Sequence, residues 1–236
     1  AACCGILVFV SAFVSVSVAL SVSFWPTMFC RPKRSRFPGR SGITSVWVNT
    51  PRRFSSLYRV MKSEIGTRYP VSMSVNCSEF DLGCNSIHFL DLLSWLNDSE
   101  LLSVKSRIAG EWYPAKRNGY FEFKGEIRAN YDNGASLSIR NDDATASEML
   151  IQCEVTNQNF MIDENHGFNY NGRFFEGRIE LQSELTVPLV ECILNEKMTD
   201  ELPTLEESVK QHVLFFRDLS HNYSSVSFNN DEVPVT

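Results

Sequence analysis

Hydrophobic residues change their spacing several times along the chain. Residues 5–24, GILVFVSAFVSVSVALSVSF, carry no charge, are long enough to cross a bilayer and partly alternate as a strand would. Over 87–105, IHFLDLLSWLNDSELLSVK, residues Phe89, Leu92, Leu93 and Leu96 fall at helical spacing. Asn97, Asp98 and Ser99 break that stretch into two short helices that pack on a sheet.

From Tyr120 the period drops to two. In FEFKGEIRANY, Phe121, Phe123, Ile127, Ala129 and Tyr131 share one face of a strand, and Glu122, Lys124, Glu126, Arg128 and Asn130 share the other. Asn133-Gly134 supplies a tight hairpin turn, and Leu137 and Ile139 follow on the partner strand. Met149, Ile151, Cys153 and Val155 alternate again, and Asn171-Gly172 marks a second turn. FEGRIELQSELTV, 175–187, reads as a long strand with Phe175, Ile179, Leu181, Leu185 and Val187 inward. LVECIL, 189–194, adds one more. Thr204 and Glu207 form a capping box before a C-terminal helix whose stripe is Leu205, Val209, Val213 and Phe216. The predicted fold is mainly β with added helices (β+α). An antiparallel meander forms a barrel or strongly coiled sheet, flanked by an N-terminal helical segment and a C-terminal helix.

Composition divides the 236 residues in two. The net charge is −6, from 22 Lys and Arg against 28 Asp and Glu. Nine of the basic residues and none of the acidic ones precede Glu64, so the remainder carries 22 − 9 = 13 basic and 28 acidic residues. An acid-free, Arg- and Ser-rich segment behind an apolar run has the character of a targeting sequence, with Ser21-Val22-Ser23 as a cleavage site. The expected divisions are a signal peptide or membrane anchor at 1–27, a basic transit-peptide-like segment at 28–63 and a helical segment at 64–107. A barrel-like domain with its C-terminal helix covers 108–220, and a polar tail 221–236. A signal followed by a transit peptide, with Phe24 at the junction, resembles the bipartite presequence of a secondary plastid. A mitochondrial presequence starting at Met28 and a membrane anchor at 4–30 stay open as alternatives.

AGEWYPAKR, 109–117, resembles the first signature of the lipocalins, a Gly-x-Trp-Tyr opening followed by Ala and a basic residue; Gly110, Trp112, Tyr113, Ala115 and Lys116 match. IRANYDNGASLSIRN and the 195–213 helix region fall in the same order as that family's second and third strands and closing helix. The Thr-Asp-Tyr signature is absent, as is the Arg before the final helix. The resemblance implies a calycin-like β-barrel with Trp112 at its closed end. Phe121, Phe123, Ile127, Phe175, Ile179 and Leu181 would line an apolar cavity holding a pigment, lipid or bilin. That makes a non-catalytic organelle carrier of a small apolar ligand. The alternatives are an accessory or assembly subunit of an organelle membrane protein complex, and a barrel-type lyase or isomerase such as a phycobilin lyase.

The chemistry-bearing residues point to no catalytic or metal motif. His88, His166, His212 and His221 form no paired metal spacing, and no glycine-rich phosphate loop or Gly-x-Ser-x-Gly elbow occurs. DENH, 163–166, reads as a solvated acidic loop. Four cysteines outside the targeting-like region, Cys77, Cys84, Cys153 and Cys192, allow two disulfides or buried thiols. The acidic balance after Glu64 excludes nucleic acid as a partner.

Overall fold

The computed structural model describes residues 10–11, 46–141, 148–156, 158–195, 202–223 and 235. The targeting-like run and Cys3, Cys4 and Cys30 fall outside them, apart from β1 (Val10–Ser11), which pairs in parallel with β2 (Val48–Asn49). A 3-10 turn, Pro51–Phe54, leads into α1 (Ser56–Ile65), followed by β3 (Val71–Asn76) and α2 (Leu82–Asn97). A run of strands comes next: β4 (Leu101–Pro114), β5 (Phe121–Tyr131), β6 (Ser136–Asn141), β7 (Leu150–Val155), β8 (Gln158–Asp163), β9 (Gly167–Tyr170) and β10 (Arg173–Glu176). The helices α3 (Gln182–Leu194) and α4 (Leu205–Tyr223) close the order.

Strands β3 to β10 make one open, mixed, eight-stranded sheet in the order β10-β9-β8-β7-β3-β6-β5-β4. This corrects the expected barrel: β4 and β10 are the two edges and are not paired with each other. β3 decides the topology. Its alternating Val71, Met73 and Val75 are buried, and it inserts between β6, to which it is parallel, and β7, to which it is antiparallel. A parallel β3–β6 pair needs a crossover, and α2 supplies it. The fold is therefore α/β, with α1, α2 and α4 in the core over the sheet and α3 packed against the 3-10 turn. α2 packs over β5, β6 and β3, and α4 over β4 and α2. Tyr58, Met61 and Ile65 of α1 join the same core.

The lipocalin resemblance fails at its own signature. Gly110 and Trp112 sit on the edge strand β4, where the register to β5 slips between Ala109 and Tyr113, and Gly110 takes φ 80°. The Gly-x-Trp run is thus a β-bulge at an edge, where such bends are common, and not the mouth of a barrel. The expected strands at 175–187 and 189–194 are also corrected. Only Arg173–Glu176 is strand, and Gln182–Leu194 is helical. Leu185 and Leu189 are one helical turn apart and bury together with Leu202 against Trp47 and Phe54. Glu184 accepts from the Leu181 N–H at 2.7 Å and so caps the start of that helix. Alternating Leu and Glu at i, i+4 satisfies both periods, and packing chose the helix.

The helix expected over 87–105 begins earlier, at Leu82, and ends at Asn97. Asp98 takes the left-handed conformation (φ 48°), and Leu101 onward is strand. Buried Asn97 holds this junction: its Oδ1 accepts from the Val71 N–H at 2.7 Å. The Thr204–Glu207 capping box is present, with Thr204 N–H donating to Glu207 Oε2 at 2.7 Å and Glu207 N–H to Thr204 Oγ1 at 3.2 Å. The buried face of α4 is rotated from the expected stripe to Ser208, Gln211, Phe215 and Leu219. His212 of the same helix lies close enough to His88 and Asp91 of the charged cluster described next to interact with both. Both Asn-Gly sequences turn the chain: the second has Asn171 at φ 51° and Gly172 at φ 76°, whereas the first has positive φ at Gly134 (87°) and not at Asn133.

Candidate functional site

The seven positions expected to line an apolar cavity do not converge. Phe123 and Ile127 are fully buried on β5, in the core that α2 covers. Phe121 is half-buried at the start of that strand, and half-buried Trp112 stands with its ring 4.8 Å from Phe123. Phe175, on β10, stacks on Phe168 at 4.6 Å, and strands β9, β8, β7, β3 and β6 separate it from β5. Ile179 lies in the link after β10, with its N–H on the Glu164 carbonyl at 2.6 Å. Leu181 opens α3 and is 65% exposed. The row is a filled core on one side and a scattered surface on the other. A surface groove of about 300 Å³ lies between α1 and β10, lined by Leu57, Val60, Phe168 and Arg173, away from β5.

A polar cluster is instead buried where the 3-10 turn meets α2 and α4. α2 is mostly apolar, so His88 and Asp91, its titratable residues besides Cys84, stand out; at i, i+3 they share a face. The preceding turn brings Arg52 and Arg53 down onto that face. Arg53 Nε donates to Asp91 Oδ2 at 2.9 Å and its Nη2 to Oδ1 at 2.5 Å, a fork on a carboxylate, and Thr50 Oγ1 donates to Oδ2 at 2.7 Å. The two side chains are 5% and 1% exposed. Burial pushes the Asp91 carboxyl above its usual range, and Arg53 and Thr50 partly offset this.

Arg52 turns the other way. Its Nε and Nη2 reach Glu164 at 2.8 and 3.2 Å, Tyr58 Oη donates to the same carboxylate at 2.7 Å, and the guanidinium lies 4.3 Å over the Phe89 ring. Burial opposes the charge on Arg52, but Glu164 and Tyr58 outweigh it and raise its pKa. Glu164 belongs to the DENH loop expected to be solvated. The loop splits: Glu164 is buried, while Asp163 and His166 pair at the surface, Nδ1 to Oδ2 at 2.7 Å.

His88 lies within this frame and is 8% exposed. Burial, then the charge of Arg52 and the neighbouring His212, lowers its pKa to about 3. It is a neutral imidazole at physiological pH. Its Nδ1 is buried with no hydrogen-bond partner among the described residues. His212 differs: its ring Nδ1 meets the Ser208 carbonyl at 2.7 Å, and burial lowers its pKa as well. A buried ring nitrogen without a partner costs about 1–3 kcal/mol and marks a place where a bound group can complete the site.

Among the described residues, no group of three or more His, Cys, Asp or Glu could hold a metal ion, and no helix is long and apolar enough to cross a membrane. Among the described residues, Cys77, Cys84, Cys153 and Cys192 form no disulfide with one another, and burial pushes the Cys153 thiol up. Sequence reasoning passed over His88 and Asp91 because they match no paired-metal motif. It assigned Arg52 and Arg53 to the basic transit-like stretch. The legible signal was two titratable residues three apart inside a run of Leu, Ile and Phe.

No protein-family model matches the chain, and no curated protein sequence matches it. Solved structures do match by fold. An oxidoreductase from Thermotoga maritima is 11% identical at a TM-score of 0.53, over 73% of this chain and 58% of its own. An oxidoreductase from Agrobacterium radiobacter, solved with NAD+, L-tartaric acid and magnesium, is 14% identical at 0.51, over 75% and 64%. An oxidoreductase domain protein from Kribbella flavida is 14% identical at 0.51, over 76% and 65%. This chain thus spans less than two thirds of the length of the solved structures it resembles. The open sheet they share overturns the lipocalin-like reading. The apolar-ligand carrier and the membrane-complex subunit go with it: the positions meant to line a cavity are packed core or surface, and the likeness is to oxidoreductases.

Proposed function

We propose that this chain is the sheet-bearing part of a nicotinamide-dependent oxidoreductase acting on a hydroxyl or carbonyl substrate, with His88 as the group that meets the substrate. The observation that carries this reading is the neutral, buried imidazole with its unpartnered ring nitrogen, on a fold like those of oxidoreductases. An imidazole held neutral accepts a hydrogen bond from a substrate hydroxyl and fixes its orientation. With a pKa of about 3 it is too weak a base to remain protonated at neutral pH, so its part is positioning and acceptance. The Arg53–Asp91 fork holds α2, and His88 with it, against the 3-10 turn, and Arg52 packed on Phe89 walls the site.

A dinucleotide needs a cradle for its pyrophosphate, normally a glycine-rich turn between a strand and a helix. The described residues contain no such turn, so they do not fit a whole dinucleotide, and no step is derived through it. The reading leaves the cofactor's phosphates to residues outside those described. The test follows the imidazole nitrogens of the full chain by 15N NMR while L-tartrate and a panel of sugars and hydroxy acids are added, alongside NAD+-dependent oxidation of the same panel. A ligand that shifts the His88 nitrogens, and whose oxidation is lost in His88→Ala, supports the reading. No shift and no turnover with any member overturns it.

A further inference from the structure

β10 ends the sheet: β9 lies on one side of it, and no strand among the described residues lies on the other. We propose that this edge and the groove beside it take up an extended peptide segment of a partner protein, added as a further strand antiparallel to β10. The proposal is independent of His88. The Gly177 N–H donates to the His166 carbonyl at 3.1 Å. The alternation of an antiparallel pair therefore turns the Phe175 backbone towards β9, and the N–H and C=O groups of Phe174 and Glu176 away from it. Those outward groups border the groove of about 300 Å³ between β10 and α1. Folded proteins commonly cover such an edge or line it with charge. Here large apolar side chains flank it within reach of water, Phe174 at 53% and Val60 at 45% exposure.

Side chains along the edge choose the sequence of the guest. Arg173 and Phe175 stand on the core face, across from buried Tyr170 and Phe168, and Phe174 and Glu176 stand on the other. The Arg173 guanidinium lies 4.4 Å over the Phe175 ring and makes no ion pair among the described residues; nor does the Glu176 carboxylate. An antiparallel guest sets successive residues opposite Glu176, Phe175, Phe174 and Arg173. The first meets a carboxylate and is basic. The second enters the groove between Phe175, Leu57 and Val60 and is apolar. The third lies on Phe174 and is apolar too. The last meets the guanidinium and is acidic. The favoured guest thus reads base, apolar, apolar, acid. Its main chain supplies affinity through the outward groups of Phe174 and Glu176, and its charged ends fix register and direction. A guest of the opposite direction would need the charges exchanged, and its slanted hydrogen bonds hold less well.

Fluorescence anisotropy on the full chain tests this, with a labelled peptide of core Lys-Val-Phe-Glu blocked at both ends. Saturable binding is expected, weakened about tenfold or more when the peptide's Phe carries an N-methyl group, because this removes the N–H offered to the Phe174 carbonyl. Arg173→Glu should weaken binding by a similar factor, and a peptide with Lys in place of its Glu should restore it to that variant and not to the wild type. The N-methyl comparison needs no variant, so the test stands if Arg173→Glu fails to fold. The reversed core Glu-Phe-Val-Lys should bind more weakly than the first peptide. Absence of saturable binding up to about 1 mM overturns the proposal. So does binding that N-methylation leaves unchanged, which is side-chain contact without an added strand, or equal binding of the reversed core.

Discussion

Lowering the pH from about 7.5 to about 4.5 charges an ordinary histidine but leaves His88 neutral, because burial, aided by Arg52 and His212, lowers its pKa from 6.5 to about 3. The unfolded chain therefore takes up a proton at this position below pH 6.5, and the native state does not until about pH 3. The folded pKa is depressed, so the stability tied to the neutral imidazole is fully present above pH 6.5 and is lost as pH falls towards 3. At about 1.4 kcal/mol per pH unit, two units below 6.5 correspond to about 3 kcal/mol. Other groups move too. His212, also lowered by burial, adds loss of the same sign, and Asp91, raised by burial, acts in the opposite sense. Comparing wild type with His88→Phe removes these shared contributions. Urea unfolding at the two pH values should show a midpoint drop smaller by about 1 M in the variant, for a slope of about 2–3 kcal/mol per M. An equal drop in both proteins, to within about 1 kcal/mol, would refute the placement of a neutral, unpartnered histidine in this core.

Three further outcomes are expected. Asp91→Ala strands the buried Arg53 guanidinium and should cost about 3–5 kcal/mol, read by chemical denaturation; Asp91→Leu with Arg53→Met should recover much of it. Asp218→Ala uncaps the edge strand β4, since Asp218 Oδ2 accepts from the Ser106 N–H at 2.6 Å. About 1–2 kcal/mol of lost stability and faster aggregation by light scattering are expected. Gly125→Ala should lower the thermal midpoint by several degrees or abolish folding. Gly125 has φ 138°, and an added Cβ would lie 2.0 Å from the Arg107 carbonyl oxygen across the β4–β5 pair.

Local features were readable where one period dominates. β5 runs Phe121–Tyr131 as its alternation requires, the Asn-Gly turns follow from their tolerance of positive φ, and the Thr204–Glu207 box opens α4. Reading failed where two periods coexist. Residues 182–194 alternate and also repeat at i, i+4, and burial of Leu185 and Leu189 against Trp47 and Phe54 selected the helix. The candidate site was less legible, because its parts are far apart in the chain. Arg52 meets Glu164 across 112 positions, and Arg53 meets Asp91 across 38. No local pattern records such pairs.

By itself the amino-acid sequence determined the strands with a clean two-residue period, the tight turns and the capped helix, because these depend on neighbours within a few residues. Tertiary structure decided the rest. Insertion of β3 between β6 and β7 made an open mixed sheet out of what reads as a closing meander, since strand order is set by which hydrophobic faces pack under α2 and not by alternation within a strand. The same packing buried His88 without a hydrogen-bond partner for its Nδ1 among the described residues and left the groove between α1 and β10 open. Neither property exists until residues distant in the chain exclude water together.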